Sequence, residues 1–178
     1  HALGSKYENV DCGSIGDLSV FSFTPHKIIT MGQGGMVLTD SENLYNDLID
    51  IKTFNRSKDK SDWHEGFGLN FKITDLQASL GISQFRKIEE FIEKKKNILD
   101  TYKKNIRDVN FINFQPYETP WFIDLICKTT QEREELSKYL NDKNILTRDS
   151  YPALSFQKYL KNIEKANLTY SEDISNRI

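Results

Sequence analysis

Lys27 follows Ser22 by five residues, in a stretch that leaves an apolar run and enters a glycine-rich turn, Leu18-Ser19-Val20-Phe21-Ser22-Phe23-Thr24-Pro25-His26-Lys27 through Gly32-Gln33-Gly34-Gly35. A lysine held at the end of a rigid strand can be stripped of water. Lost hydration disfavours the charged form, lowers the amine pKa and leaves a nucleophilic nitrogen. A serine hydroxyl at the carboxyl end of a strand can donate to a phosphate oxygen. The glycines permit positive φ and close backbone approach. They do not follow the GxGxxG spacing and do not open a helix, and no GK[ST] follows them. Their reading is therefore a loop that presents Lys27 and not a nucleotide cradle. A nucleophilic amine beside a phosphate anchor is the layout that pyridoxal phosphate requires. Either residue alone is an ordinary surface lysine or a strand serine; the combination singles them out.

Other combinations are weaker. Three scattered histidines, and two cysteines at positions 12 and 127, give no metal-ligand spacing. His26 adjoins Lys27, and His64 lies in a polar loop, where a plain surface role suffices for each. No Ser/His/Asp ordering suggests a hydrolase.

The elements that must position these residues follow from pattern. Residues 18–23 and 35–39 are short, apolar and β-prone, and read as neighbouring buried strands. Pro25 ends the first, because proline cannot donate to a ladder. Asp40 or Ser41 can cap a helix over residues 42–53, with Leu44, Leu48 and Ile51 on one face. Residues 55–65 form a polar surface loop of functional length. One long helix is predicted over residues 75–107, from Leu76, Leu80, Phe85, Ile88, Ile92, Leu99, Tyr102 and Ile106. The Lys94-Lys95-Lys96 run on it reads as a solvated face. A strand is expected over residues 121–128, with Trp121, Ile123, Leu125 and Cys127 on one face. Thr129 and Glu132 predict a capping box and a helix to about Asn141, and residues 145–147 read as a further strand.

The chain has 178 residues, of which 38% are hydrophobic and 28% charged, a soluble globular balance. Lys plus Arg total 24 against 26 Asp plus Glu, a net charge of −2, which excludes the positive field of a general nucleic-acid binder. No apolar run approaches the ~18 residues of a membrane-spanning helix. The cysteine pattern predicts a reduced, cytoplasmic setting. The chain opens on His1 without a methionine or signal-peptide pattern, and it stops after a polar, helix-like stretch. Both ends predict an internal piece of a longer protein.

Three ordered motifs carry a resemblance: His1-Ala2-Leu3-Gly4-Ser5, then Gly13-Ser14-Ile15-Gly16-Asp17, then the run from Phe21 to Val37. A further stretch, Gly68-Leu69-Asn70-Phe71-Lys72-Ile73-Thr74-Asp75-Leu76-Gln77-Ala78-Ser79-Leu80-Gly81, continues it. Together they closely resemble the DegT/DnrJ/EryC1/StrS family, most of whose members are pyridoxal-phosphate-dependent sugar aminotransferases of fold type I. The resemblance is strong to about residue 107 and weak beyond.

The resemblance implies an α/β fold in two parts. Residues 1–109 would be the later part of the large mixed-sheet cofactor domain, and residues 110–178 the beginning of a small α+β domain. It implies that Lys27 bonds the cofactor and shuttles the proton, that Ser22 binds the phosphate, and that His1 lies by the cofactor ring. It implies that Asn70 reaches the phosphate of a neighbouring subunit in a homodimer with shared sites. The implied substrates are a nucleotide-linked keto-sugar and glutamate, in amino-sugar or polysaccharide biosynthesis, with neither nucleic acid nor membrane as partner. Two departures stand out. Gln33 replaces the usual glutamate of the glycine loop, and Phe54-Asn55-Arg56-Ser57-Lys58 does not match the family's Arg-x-His-Gly, a loop that contacts substrate. Two other readings stay open: a sugar dehydratase, although those members carry histidine where Lys27 stands, and a non-catalytic sensor or assembly protein that keeps the fold.

Overall fold

The computed structural model describes residues 1–160, 162 and 167–178. Its contacts form two compact units, one of His1–Leu99 with Phe114–Trp121 and one of Asp100–Asn113 with Phe122–Ile178. The contacts thus divide inside a helix and again at residue 121. The segment Phe114–Trp121 folds with the first unit because its backbone is bonded there: the Lys6 N–H donates to the Tyr117 carbonyl at 2.9 Å, and the Thr119 N–H to Ser5 Oγ at 2.9 Å.

The first unit begins with a short ribbon, β1 (Lys6–Tyr7) paired antiparallel with β2 (Val10–Asp11). The strands β3 (Ser19–Ser22) and β4 (Gly35–Leu38) pair antiparallel in register Ser19↔Leu38 to Ser22↔Gly35. They are neighbours, as expected, but they are not buried. Val20 is 76% exposed, and Met36, Val37 and Leu38 are exposed as well. The reason is topological: among the described residues β3 and β4 form a sheet of two strands only.

The core lies past the strand ends instead. The Phe23 N–H donates to the Gly34 carbonyl, and the Met31 N–H to the Phe23 carbonyl, each at 2.9 Å. Phe23, Ile29 and Met31 are buried together, with Leu3, Phe21, Ile28, Ile88 and Phe91 packed around them. Gly32 and Gly34 take φ of 77° and 152°, a backbone that a side chain would strain where the loop turns back.

The helix α1 (Glu42–Lys52) is capped by Ser41, whose side chain accepts from the Leu44 N–H. The single long helix expected over residues 75–107 is two helices, α2 (Asp75–Phe85) and α3 (Ile88–Asn105). No glycine or proline marks the break. It occurs where Arg86 caps α2, and it sets Ile88 and Phe91 against the core. Gln84, on the last turn of α2, accepts the Thr30 N–H at 2.8 Å and ties the helix to the Lys27 loop. A full capping box of Thr74 and Gln77 opens α2. The pattern was visible in the sequence as Thr74-x-x-Gln77.

The Lys94-Lys95-Lys96 run is not a purely solvated face. Lys94 pairs with Glu90 at 2.6 Å, but Lys95 Nζ donates to the Trp121 carbonyl at 3.0 Å and Lys96 Nζ to the Pro116 carbonyl at 3.1 Å. Long aliphatic stems let these ammonium groups reach backbone acceptors along the helix.

In the second unit β5 (Asn110–Phe111) pairs with β6 (Leu125–Ile126). The strand expected over residues 121–128 is therefore only two residues long. Thr129 caps α4 (Thr130–Asp142), accepting from the Glu132 N–H at 3.1 Å. Glu132 returns its carboxylate to the Lys128 N–H at 2.6 Å, one residue before the reciprocal partner a capping box would use. Residues 145–147 are not a strand. Ser137 and Thr147 hydroxyls meet at 3.0 Å, Arg133 pairs with Asp149 at 2.6 Å, and Leu146 is left 88% exposed. The chain closes with α5 (Thr169–Arg177), where the Cys127 N–H donates to the Arg177 carbonyl. Part of the expected polar, helical end, residues 161 and 163–166, lies outside the described residues. No helix among the described residues is long and apolar enough to cross a membrane.

A Cβ added at Gly81 in α2 would lie 2.6 Å from Met31 Sδ and 2.7 Å from its Cγ. Gly81→Ala gains helix propensity, yet it overpacks the core beneath the Lys27 loop, so a net loss of about 1 kcal/mol is expected. Urea denaturation measures it, and an unchanged or raised midpoint would show that Met31 repacks freely.

Candidate active site

Lys27 is presented by a turn. Its N–H donates to the Thr24 carbonyl at 3.1 Å, which places Pro25 at the second position of the turn, where its fixed φ belongs. The turn springs from the end of β3, so Ser22 and Lys27 face one cleft. That cleft is lined by His1, Leu3, Phe21, Ser22, Lys27, Ile28 and Trp121. Three of the four residues singled out by the sequence, His1, Ser22 and Lys27, therefore come together.

Lys27 is half-buried, and loss of hydration holds its amine below the ordinary value of 10.5. Among the described residues the cleft lining contributes no carboxylate that would restore the charge. Ser22 is exposed, and its hydroxyl meets Thr24 Oγ1 only at 3.5 Å, the limit of a hydrogen bond, so it can turn to an incoming acceptor.

The residue that sequence reading did not place here is Trp121. Its ring stacks on His1 with centroids 3.7 Å apart and planes 15° from parallel. Lys27 Nζ lies 3.7 Å from the indole centroid, and indole Nε1 donates to the His26 carbonyl at 2.8 Å. The sequence pattern puts Trp121 among four residues on a strand face. No periodicity could reveal a contact made across 94 residues of chain; the only local signal is a large aromatic directly after a buried proline, Pro120.

Asn70 does not join this cleft. It is exposed and forms an isolated antiparallel bridge with Thr53. Beside it a second, open pocket of about 280 Å³ is lined by Thr53, Phe54, Arg56, Ser57 and Lys72. Two cations and two hydroxyls face that space, a donor set suited to phosphate groups. His64, read as a loop residue, bonds the Phe54 carbonyl through Nδ1 at 2.8 Å and helps to fold the loop around this pocket.

The donors in the Lys27 cleft fit pyridoxal phosphate in kind: an amine of lowered pKa, a strand-end hydroxyl and an aromatic neighbour. The space free among them is about 10 Å³, room for one water at most. A planar ring enters only as the Trp121 indole gives way.

Comparison with known proteins places this geometry. The chain is 36% identical over 168 residues to a GDP-perosamine synthase of Escherichia coli O157:H7, covering 92% of this chain and 46% of that protein. It is 29% identical to a UDP-4-amino-4,6-dideoxy-N-acetyl-beta-L-altrosamine transaminase of Campylobacter jejuni subsp. jejuni serotype O:23/36 (strain 81-176), covering 97% of this chain and 49% of that protein. Its backbone is similar to that of Helicobacter pylori PseC, an aminotransferase involved in the biosynthesis of pseudoaminic acid, with a TM-score of 0.90 at 24% identity over 99% of this chain and 50% of that one. The chain thus spans about half the length of the curated relatives it matches, and its fold is the α/β fold type I expected from the sequence. A model of the DegT/DnrJ/EryC1/StrS aminotransferase family matches residues 1–178, and the chain belongs to that family.

Proposed function

We propose that the protein to which this chain belongs is a pyridoxal-phosphate-dependent aminotransferase that moves an amino group, with glutamate as donor, onto a keto group of a nucleotide-linked sugar. The observation that carries this is the half-buried, desolvated Lys27 amine, set at the end of a strand with the Ser22 hydroxyl and His1 in one cleft of a member of this family. Residues 1–109 would belong to the large cofactor domain and residues 110–178 to the small one, in a cytoplasmic homodimer.

When bound, the cofactor ring supplies an electron sink. This chain's residues do the rest. Ser22 would donate to the phosphate and fix the cofactor in register with Lys27. His1 would lie by the ring. Lys27 would hold the cofactor through its neutral amine. Its Nζ, when free, would carry a proton between the carbon bearing the donor's nitrogen and the carbon on the other side of that nitrogen, which requires an amine that alternates between charged and neutral forms. Desolvation supports that exchange by enlarging the neutral fraction at a given pH. Arg56 and Lys72, with Thr53 and Ser57, suit the diphosphate of a nucleotide sugar. Lysine at position 27, in place of histidine, favours transamination over sugar dehydration.

Lys27→Ala removes the amine. The visible absorption band that pyridoxal phosphate gives with the wild-type protein is expected to vanish and turnover to collapse. The sign of the pH effect follows from the same desolvation. The charged amine is penalised in the folded state, so the cost is present below the folded pKa and is relieved as pH rises through the ordinary 10.5. Formation of the band is therefore expected to have its midpoint below 10.5; a midpoint at or above that value would remove desolvation as the activating cause.

Asn70 is assigned to the phosphate of the neighbouring subunit. Asn70→Ala is expected to weaken cofactor binding roughly tenfold to a hundredfold, the loss of one hydrogen bond to a charged acceptor of order 1.5–3 kcal/mol. Heterodimers of Lys27→Ala and Asn70→Ala subunits carry both defects in one site and neither in the other. Subunit exchange at limiting cofactor is expected to restore activity towards half the wild-type rate, whereas no recovery despite proven exchange assigns Asn70 to its own subunit. Arg56→Gln removes a cation from the second pocket, and its KM for the nucleotide sugar is expected to rise by about tenfold, with kcat little changed. An unchanged KM would place the diphosphate elsewhere.

A further inference from the structure

Trp121 sits at the end of a segment that is held down along its length. Pro120 is fully buried, the Thr119 N–H bonds Ser5 Oγ, and Lys95 and Lys96 of α3 donate to the carbonyls of Trp121 and Pro116. A backbone so anchored leaves the Trp121 side chain as the movable part. That side chain is joined to the Lys27 cleft by three contacts. It lies over Nζ at 3.7 Å, stacks on His1 at 3.7 Å, and donates through Nε1 to the carbonyl of His26, the residue just before Lys27. With the indole in this place the cleft keeps about 10 Å³ of free space.

We infer that Trp121 is a positioning residue that governs access to Lys27: its indole covers the amine while the cleft is empty, latched by the hydrogen bond to the His26 carbonyl, and turns aside when a planar carbonyl compound takes its place. The ring face attracts the charged amine and shuts out water from one side of it. The latch is one neutral hydrogen bond, strong enough to hold the closed form and weak enough to break. The inference gains its catalytic meaning from the assignment of Lys27 as the cofactor lysine, but the cover itself exists without that assignment. The polar groups that line the cleft with the amine are His1 and the Ser22 hydroxyl, beside the apolar Leu3, Phe21 and Ile28; among these described residues none is a carboxylate that could hold Nζ in place of the ring.

The test is competitive trace labelling of the full-length, cofactor-free protein with acetic anhydride at fixed pH, resolved by site. The acetyl group passes to Nζ, acetate leaves and the Nζ proton goes to water. Exposed Lys94 and Lys143 serve as internal references. Relative to them, Lys27 is expected to be labelled about tenfold faster in Trp121→Ala than in wild type, the factor that a latch and ring contact of about 1.4 kcal/mol together set on a closed–open equilibrium. Trp121→Phe, which covers without latching, is expected to fall between. A residue needed only for folding would speed all lysines together. Growth of the visible band on adding pyridoxal phosphate gives a second reading: with the cover in fast equilibrium, its second-order rate is expected to be about tenfold higher in Trp121→Ala than in wild type.

Equal Lys27 labelling in wild type and Trp121→Ala overturns the inference. If Trp121→Ala accelerates every lysine, the Phe variant decides, and no Lys27-specific acceleration there overturns it as well. A wild-type protein that gives no visible band, yet shows the Lys27-specific acceleration, would remove Lys27 as the cofactor lysine and leave the cover standing.

Discussion

Phe23 gives both of its backbone groups to the two ends of one loop. Its N–H meets the Gly34 carbonyl, its carbonyl meets the Met31 N–H, and Thr30 Oγ1 donates to that same carbonyl at 3.1 Å. Its side chain is buried with Ile29 and Met31. The loop from Thr24 to Gly34 is thereby closed at its neck, so Lys27 hangs from a short, fixed arc and not from a floppy excursion. Ser22 precedes the neck by one residue, which fixes the distance between hydroxyl and amine. A polar loop of this kind has little apolar surface of its own. The hairpin register, the core beneath it and the Gln84 tie from α2 supply its rigidity.

Local information carried much of this. The pairing of residues 18–23 with 35–39 followed from two short β-prone runs around a proline and glycines, and the α1 cap from Ser41. These are choices made within a few residues, where propensity and turn chemistry act. The departures share another cause. The break between α2 and α3 has no glycine or proline to announce it, and it serves to bring Ile88 and Phe91 onto a core assembled from residues near 23 to 31. Lys95 and Lys96 read as solvent-facing by charge alone, yet their acceptors are carbonyls 20 and 26 residues further along the chain. Strand burial failed for the opposite reason: alternation tells which residues could be covered, but covering needs a layer, and β3 and β4 have no third strand beside them among the described residues.

The candidate site divides along the same line. Lys27, Ser22 and His1 were legible because spacing within a motif and a family resemblance both marked them. Trp121 was not, because its meaning is entirely tertiary. Its sequence neighbours suggested a strand face, while its indole touches three residues at the other end of the first unit. An aromatic that follows a buried proline in an otherwise polar loop is the sort of position where such contacts arise, since the proline anchors the backbone and leaves the ring to reach.

The electrostatics of the cleft point to what it must accept. Among the described residues its lining is basic or neutral, and Lys27 has lost part of its hydration. In that state the amine is inclined towards its neutral, nucleophilic form. A phosphate held by the Ser22 hydroxyl would act in the other direction, since a nearby anion stabilises the ammonium. A site that binds an anionic cofactor and still needs a neutral amine must therefore begin with the amine biased towards neutrality. Desolvation by the half-closed cleft provides that bias. The charged form meets the aromatic face at 3.7 Å, which gives the indole its hold on Lys27 before a ligand arrives.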